Sequence, residues 1–246
     1  MTGAATDPDR PGEPRIELVL RQSPIVDLDR VGVGSNQVFL ATLRSRRGAV
    51  RAIYKPARGE RPLWDFPEGT LHRREVASFE VDRALGWGFL PVTVLRQEAP
   101  LGSGSLQEFV EGPSQDLDLD RELLEQQLRG VAVLDVLINN ADRKAAHLLI
   151  DRVGHLKGID HGVTFNTEFK LRTVLADLGG ERVPEMWLRQ VSGLLSDQGR
   201  MRRLQARLRR LLAPEEVQAF LRRGRHLLAD GSFPALHPWY GRPFEW

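Results

Sequence analysis

Four side chains able to handle a phosphate group crowd the stretch Val136 to Phe165, VLINNADRKAAHLLIDRVGHLKGIDHGVTF: Asp142, Lys144, His147 and Asp160. A polar cluster, Asn139 to Lys144, interrupts an apolar run. Leu148 to Ile150 resumes it, Asp151 to Gly154 reads as a turn, and a second short run ends in Asp160-His161-Gly162. The two aspartates therefore stand at the ends of an expected β-hairpin, with His147 following Asp142 closely. Such spacing places one base and two metal ligands around a phosphate. Asp142 is suited to orient or deprotonate a hydroxyl nucleophile, and Lys144 to neutralise charge on a transferring phosphoryl group. His147 and Asp160 are suited to a divalent metal. A lone histidine before an apolar run is more often structural, but the flanking acids favour a ligand here.

The distribution of lysine points the same way. The chain has only four, Lys55, Lys144, Lys157 and Lys170, against an otherwise arginine-based positive charge. Lysine retained in such a chain marks places where a compact ammonium is needed. Lys55 ends the strand-like run RAIYKP, and Lys144 lies beside Asp142. Lys157 and Lys170 read as ordinary surface lysines. A strand lysine that holds the phosphates of a nucleotide needs a carboxylate to orient it, commonly from the next helix. Glu75 is the first candidate and Glu80 its rival, with a solvated helix face as the plain alternative. Upstream, Gly32, Gly34, Ser35 and Asn36 form a small-residue turn whose backbone N–H groups could approach a phosphate. The spacing fits neither a Walker A loop nor a dinucleotide-binding fingerprint.

Composition sets the outer bounds. At 246 residues the chain is long enough for one two-lobed domain or two small ones. It has no cysteine, which excludes disulfides, thiolate metal sites and cysteine nucleophiles. No apolar run reaches membrane-spanning length. The opening MTGAATDPDRPGEPR lacks the apolar segment of a signal peptide and reads as a disordered tail over residues 1–15. A cytoplasmic protein is the expectation. A net charge of +2 argues against a dedicated nucleic-acid binder.

The elements that must position these residues divide the chain in two. Residues 16–110 read as β-rich. Ile16 to Leu20 is a first strand or turn, and Val31 to Arg44 a glycine turn followed by a strand. The turn SRRG then leads to a strand at Ala49 to Tyr54. Leu71 to Leu85 carries apolar residues at helical spacing and ends at Gly86, a C-cap. Phe89 to Leu95 and Leu106 to Val110 read as strands. Residues 111–246 read as mostly helical, with helices at Arg121 to Asn139 and from Glu185 to Asp230, the latter broken near Ala213-Pro214. The basic amphipathic segment Arg200 to Leu212 reads first as a solvated face; weak contact with an anionic membrane surface is the alternative. The aromatics Trp239, Tyr240 and Trp246 read as packing residues.

These motifs together resemble the phosphatidylinositol 3-/4-kinase-like branch of the protein-kinase-like superfamily, especially actinobacterial relatives, and are similar to type II phosphatidylinositol 4-kinases. GSNQVF, Gly34 to Phe39, resembles the phosphate-binding loop. Lys55 in AIYKP resembles the ATP-binding lysine, and Glu75 its helix carboxylate. LQEFVEG resembles the hinge, where backbone groups near Glu108 and Val110 would read adenine. NNADRKAAH resembles the catalytic loop with Asp142 as its aspartate, and IDHG the metal-binding motif with Asp160 as principal ligand. The resemblance implies an α+β, two-lobed kinase-like fold that uses ATP with Mg2+ or Mn2+.

Two departures from the family pattern carry information. His147 stands where the catalytic loop usually has asparagine, and imidazole is a softer ligand than an amide oxygen, which favours manganese. Lys144 is unusual for lipid kinases of the group and common in protein kinases, which leans toward a protein or small-molecule acceptor. Transfer to protein Ser/Thr, including the chain itself, is the favoured expectation. A phosphoinositide or small-molecule kinase and a nucleotide-binding pseudokinase are the alternatives.

Overall fold

The computed structural model describes residues 16–31, 36–113, 117 and 119–236. Its sheet comprises β1 (Ile25–Val31), β2 (Val38–Ser45), β3 (Gly48–Pro56), β4 (Thr93–Arg96) and β5 (Gly104–Glu108). The strands pair in the order β1-β2-β3-β5-β4, antiparallel at every junction. Alternation along the strands sends Ala41, Leu43, Ala52, Tyr54, Val94 and Leu106 into one fully buried cluster. Leu20 joins that cluster from α1 (Ile16–Gln22), which lies over β4 and β5. Since Tyr54 points into this cluster, Lys55 emerges on the opposite face.

The helix α2 (Leu71–Leu85) lies between the sheet and the helical part. Gly86 ends it in the left-handed region at φ 76°, as the sequence leads one to expect. Its first turn is capped from a distance. Thr70 makes no side-chain cap bond, and the Glu60 carboxylate accepts from Leu71 N at 3.0 Å and His72 N at 2.8 Å. Burial on both sides takes Arg74, Glu75, Glu80 and Asp82 out of water, so each has a specific partner.

The helical part contains α3 (Arg121–Ile138), α4 (Glu185–Ser196), α5 (Gln198–Leu208) and α6 (Pro214–Asp230). Asp120 caps α3 through Leu123 N at 3.0 Å, and Asn139 ends it at φ 54°. Val131, Leu134, Leu137 and Ile138 carry the buried face of α3, against Phe165, Trp187, Leu194, Leu204 and Phe220. Between α3 and α4 the expected hairpin forms from β6 (Leu148–Ile150) and β7 (Leu156–Gly158).

Several expectations need correction. Ile16 to Leu20 is helical, because Val19 and Leu20 bury together and Glu17 and Arg21 pair one turn apart at 2.9 Å. Ile25 to Val31, in which Val26-Asp27-Leu28-Asp29 alternates apolar and charged residues, is a further strand, β1. Of Phe89 to Leu95 only the end is strand, since the Asp82 carboxylate takes the backbone N–H groups of Phe89 and Leu90 at 3.1 Å each. The strand expected at Leu106 to Val110 begins earlier and stops at Glu108. The last helical region breaks also at Asp197, which caps α5 by accepting from Arg200 N, and the basic helix ends at Leu208. Residues 1–15, Gly34, Ser35 and the aromatic tail from Trp239 to Trp246 lie outside the described residues.

Two outcomes test this reading. Gly104 pairs with Pro56, and a Cβ there would stand 2.5 Å from Lys55 O and 2.6 Å from a Tyr54 ring carbon. Gly104→Ala should therefore cost roughly 1–3 kcal/mol in urea unfolding, as overpacking of a close approach does. Burial raises the Asp82 carboxyl to about 7, against the bonds it accepts from Leu90 and Phe89. Its folded pKa exceeds the unfolded one, so the folded state holds the extra proton between them. Stability relative to Asp82→Asn should fall as pH rises from about 4 to 7 and level off above, measured by denaturant midpoints across that range.

Candidate active site

Lys55 is the centre of the site. It leaves β3 toward α2, and its Nζ donates to Glu75 Oε1 and, at 2.8 Å, to Asp160 Oδ1. Burial alone would push the ammonium pKa down; Asp160 and Glu75 outweigh it and hold the group above the usual lysine range. Lys55 in turn holds Asp160 well below the usual carboxylate range, with burial opposing and His147 assisting. Glu80, the rival carboxylate, is bound to Arg83 and to Arg207 of α5 and takes no part. Glu75 does more than orient the lysine, because its other oxygen accepts from His161 N at 2.9 Å.

Asp160 occupies the left-handed region at φ 60° and its side chain is 50% exposed. Its free oxygen, Oδ2, lies 3.4 Å from His147 Nε2. Burial holds His147 below its ordinary pKa, with Asp160 pulling the other way, so the ring is neutral at pH 7. In the segment after α3, Lys144 Nζ sits 3.1 Å from Asp142 Oδ2. Burial raises the Asp142 carboxyl, and Lys144 moderates the rise. Asn36 Oδ1 accepts from Arg61 N at 2.7 Å, which ties Asn36 to the loop after β3. At the expected hinge, Glu108 N is taken by Val92 O at 2.8 Å. Among the described residues no backbone partner takes the Val110 amide. Lys170, read as an ordinary surface lysine, is bound to Asp65 at 3.0 Å.

Two arginines that sequence reasoning passed over hold the site together. Arg143 is fully buried and binds Asp135 of α3 through two parallel bonds of 2.9 Å. It also donates to Ile159 O at 3.0 Å and to His161 Nε2 at 2.6 Å, and its backbone N donates to Arg172 O. One guanidinium thus fixes the loop bearing Asp142 to the residues on both sides of Asp160. Arg74, the residue before Glu75, donates to Thr164 O at 2.5 Å and to Glu216 of α6. Arg74 and Glu75 therefore grip opposite ends of the turn from His161 to Thr164. Nothing in the sequence separates these two arginines from the many exposed ones, except that each adjoins a motif acid.

The residues fit a divalent metal that arrives with a phosphate ligand. Asp160 offers a half-exposed carboxylate oxygen and His147 a neutral ring nitrogen beside it. Among the described residues no cluster of three or more histidine, aspartate or glutamate side chains exists that could enclose an ion alone. A metal held by one or two side chains plus phosphate oxygens and water needs no such cage.

A basic residue between two acids at the junction of an antiparallel sheet and a helical bundle, with a carboxylate-bearing loop opposite, defines a kinase-like phosphotransferase. The phosphatidylinositol 3- and 4-kinase family model matches residues 74–217, and the chain belongs to that family. Protein Rv2133c of Mycobacterium tuberculosis is 34% identical over 93% of each chain. Among solved structures, hydra Fam20 with sugar superposes with a TM-score of 0.65 at 15% identity, covering 88% of this chain and 87% of that one. The Golgi casein kinase with Mn/ADP bound gives 0.60 at 17% identity, covering 88% and 74%. The Helicobacter pylori proinflammatory kinase CtkA gives 0.53 at 11% identity, covering 88% and 95%. These likenesses establish the two-lobed kinase-like fold. Among the described residues no helix is long and apolar enough to cross a membrane.

Arg143→Met should leave Asp135 charged and unpaired in the interior, at a cost of roughly 3–5 kcal/mol in urea unfolding. Arg143→Met combined with Asp135→Leu should recover only part of the loss, since the orphaned charge is gone but Asn140 Nδ2, which donates to Asp135 Oδ1 at 2.9 Å, loses its acceptor.

Proposed function

We infer that this protein is an ATP-dependent kinase that transfers the γ-phosphoryl group to a serine or threonine hydroxyl of a polypeptide, itself included. The observation that carries the reading is Lys55 held between Glu75 and Asp160, an ammonium fixed where nucleotide phosphates enter the cleft. Lys55 binds those phosphates and Glu75 keeps it extended. Gly34, Ser35 and Asn36 cover the phosphates in this reading, and Asn36 is bound to Arg61 of the loop after β3. The adenine edge meets the backbone near Glu108 and Val110. Asp160 and His147 would hold Mg2+ or Mn2+, which when bound neutralises phosphate charge.

Asp142 accepts the proton of the attacking hydroxyl. The acceptor oxygen bonds to the γ-phosphorus as the bond to the bridging oxygen of ADP breaks. Burial raises the Asp142 pKa, which makes the carboxylate a better base than a solvated one. Lys144, already beside it, balances charge on the group in transit.

A polypeptide acceptor is favoured by charge. The segment from Thr164 to Arg172 has only two basic residues, Lys170 and Arg172, and Asp65 at 3.0 Å and Glu168 at 3.6 Å neutralise Lys170. A polyanionic inositol headgroup would find little uncompensated positive charge there. One structural relative, the Golgi casein kinase, is named for a protein substrate, which supports the same choice. The second reading, a phosphoinositide acceptor, is favoured by the family, with weak contact between the basic helix α5 and an anionic membrane.

With γ-labelled ATP and Mg2+ or Mn2+, the purified protein should label itself or release phosphate. Asp142→Asn and Asp160→Asn should each lower the rate by about 100-fold or more. Nucleotide-dependent stabilisation without turnover, across both metals, would instead make this chain a nucleotide-binding module. Equal turnover in both variants would remove the assignment of the two aspartates.

A further inference from the structure

The arginines of α5 and α6 divide into two sets. Three are tied inward. Arg200 donates to Ala84 O at 2.6 Å and Arg207 to Glu80 Oε2 at 2.8 Å, which fastens α5 to α2. Arg223 of α6 donates to Leu137 O at 2.9 Å and to Asn166 O at 3.1 Å. Arg202 of α5 and Arg225 of α6 are exposed instead, and among the described residues neither has a hydrogen-bond or ion-pair partner.

Arg202 and Arg225 share one groove. The helix α4 packs against both α5 and α6, which pack little against each other, and the space between these two is a groove of about 350 Å³. Gly224 lets α6 approach α4 closely: a Cβ there would stand 3.1 Å from Leu195 Cδ1 and 3.6 Å from Leu137 Cδ2. Leu195 of α4, Met201 of α5 and Leu221 of α6 form the apolar part of the lining, and Met201 and Leu221 are buried. Arg202 and Arg225 line it from the two flanking helices, and the rest is glutamine. Among the described residues no carboxylate lines the groove.

Charge and shape together define the occupant. Two uncompensated guanidiniums call for carboxylates, which they bind through paired N–H donors. The apolar floor is recessed, so it receives an inserted side chain. It does not suit a bilayer: among the described residues none of the exposed large apolar side chains belongs to α4, α5 or α6, and nothing apolar projects there to enter one. It does not suit a nucleic acid, whose backbone offers phosphates but no aliphatic side chain. We propose that this groove is a docking site for an acidic polypeptide segment of a partner protein, which inserts an aliphatic side chain between flanking aspartates or glutamates. Arg202 and Arg225 bind the carboxylates, and Leu195, Met201 and Leu221 receive the aliphatic group. No residue of the groove belongs to the candidate active site, so the proposal stands apart from the kinase reading.

The purified full chain would be applied to an array of short peptides with a fixed central leucine and degenerate flanks. Bound peptides should be enriched in aspartate and glutamate on both flanks. The strongest binder, labelled and free in solution, would then be titrated against wild type and variants by fluorescence anisotropy. Arg202→Glu and Arg225→Glu should each weaken binding by about 10-fold or more, and added salt should weaken it too. Arg46→Glu, the same charge change at an exposed position in the turn between β2 and β3, should leave binding unchanged. Replacing the peptide's leucine by alanine should also lower affinity. The variants should keep the wild-type melting temperature, because the substituted side chains are exposed. If a glutamate variant melts lower, Arg202→Gln and Arg225→Gln give the same comparison without a reversed charge. No acidic enrichment on the array would overturn the proposal. An equal loss in Arg46→Glu would do the same, since it marks unspecific attraction. Binding of phosphatidylserine vesicles or of duplex DNA that is lost in the groove variants, with no peptide bound, would overturn the polypeptide occupant and reassign the groove to that anion.

Discussion

An ammonium between two carboxylates is a strong local attraction, and here each member comes from a different part of the chain. Lys55 belongs to the sheet, Glu75 to the helix packed beneath it, and Asp160 to the loop after a small hairpin in the helical part. Removing any of these charges from water is costly, and the cost is offset only while the partners stay in place. The junction between sheet and helices is therefore defined electrostatically at the same point where a nucleotide's phosphates would bind. Apolar packing brings the two parts together, but this triad sets their register.

The surrounding structure serves that register. The helix α2 is gripped on both sides: Glu60 caps its start, Glu80 reaches Arg207 of α5, and Arg74 reaches Thr164 and Glu216. Glu75 is thereby held within reach of Lys55 without a swing of the helix. On the other side of the cleft, Arg143 joins α3, the segment bearing Asp142 and the turn around Asp160. The buried ionic groups lie close together and share partners, so their energies are coupled and will not add as independent contributions.

The exposed features are as informative as the buried ones. Asp160 keeps half of its side chain open, with His147 Nε2 3.4 Å from its second oxygen. Trp64 is presented to solvent by a turn whose apolar residues on either side, the buried Phe66 and the partly buried Leu63, pack inward. The basic residues of α5 are partly engaged: Arg200 donates to Ala84 O at the end of α2 and Arg207 to Glu80. Their first role is to attach α5 to α2.

The amino-acid sequence by itself determined the local features: the strands around Lys55, the length and cap of α2, α3, the hairpin between Asp142 and Asp160, and the pairing of Lys55 with an acid of α2. Each follows from periodicity, turn residues or charge within a short span. The sequence also carried a helical signal at Ile16 to Gln22 and an alternating one at Ile25 to Val31, both short enough for neighbouring residues to obscure. Only the tertiary structure decided between Glu75 and Glu80, because the offset of five positions between them, about one and a half turns, turns one carboxylate toward Lys55 and the other toward Arg207. It alone showed that Arg143 and Arg74 are interior residues, that Asn36 serves Arg61, and that Trp64 faces outward. Those outcomes depend on which distant carbonyls and carboxylates fold into reach, and no pattern along the chain records that distance.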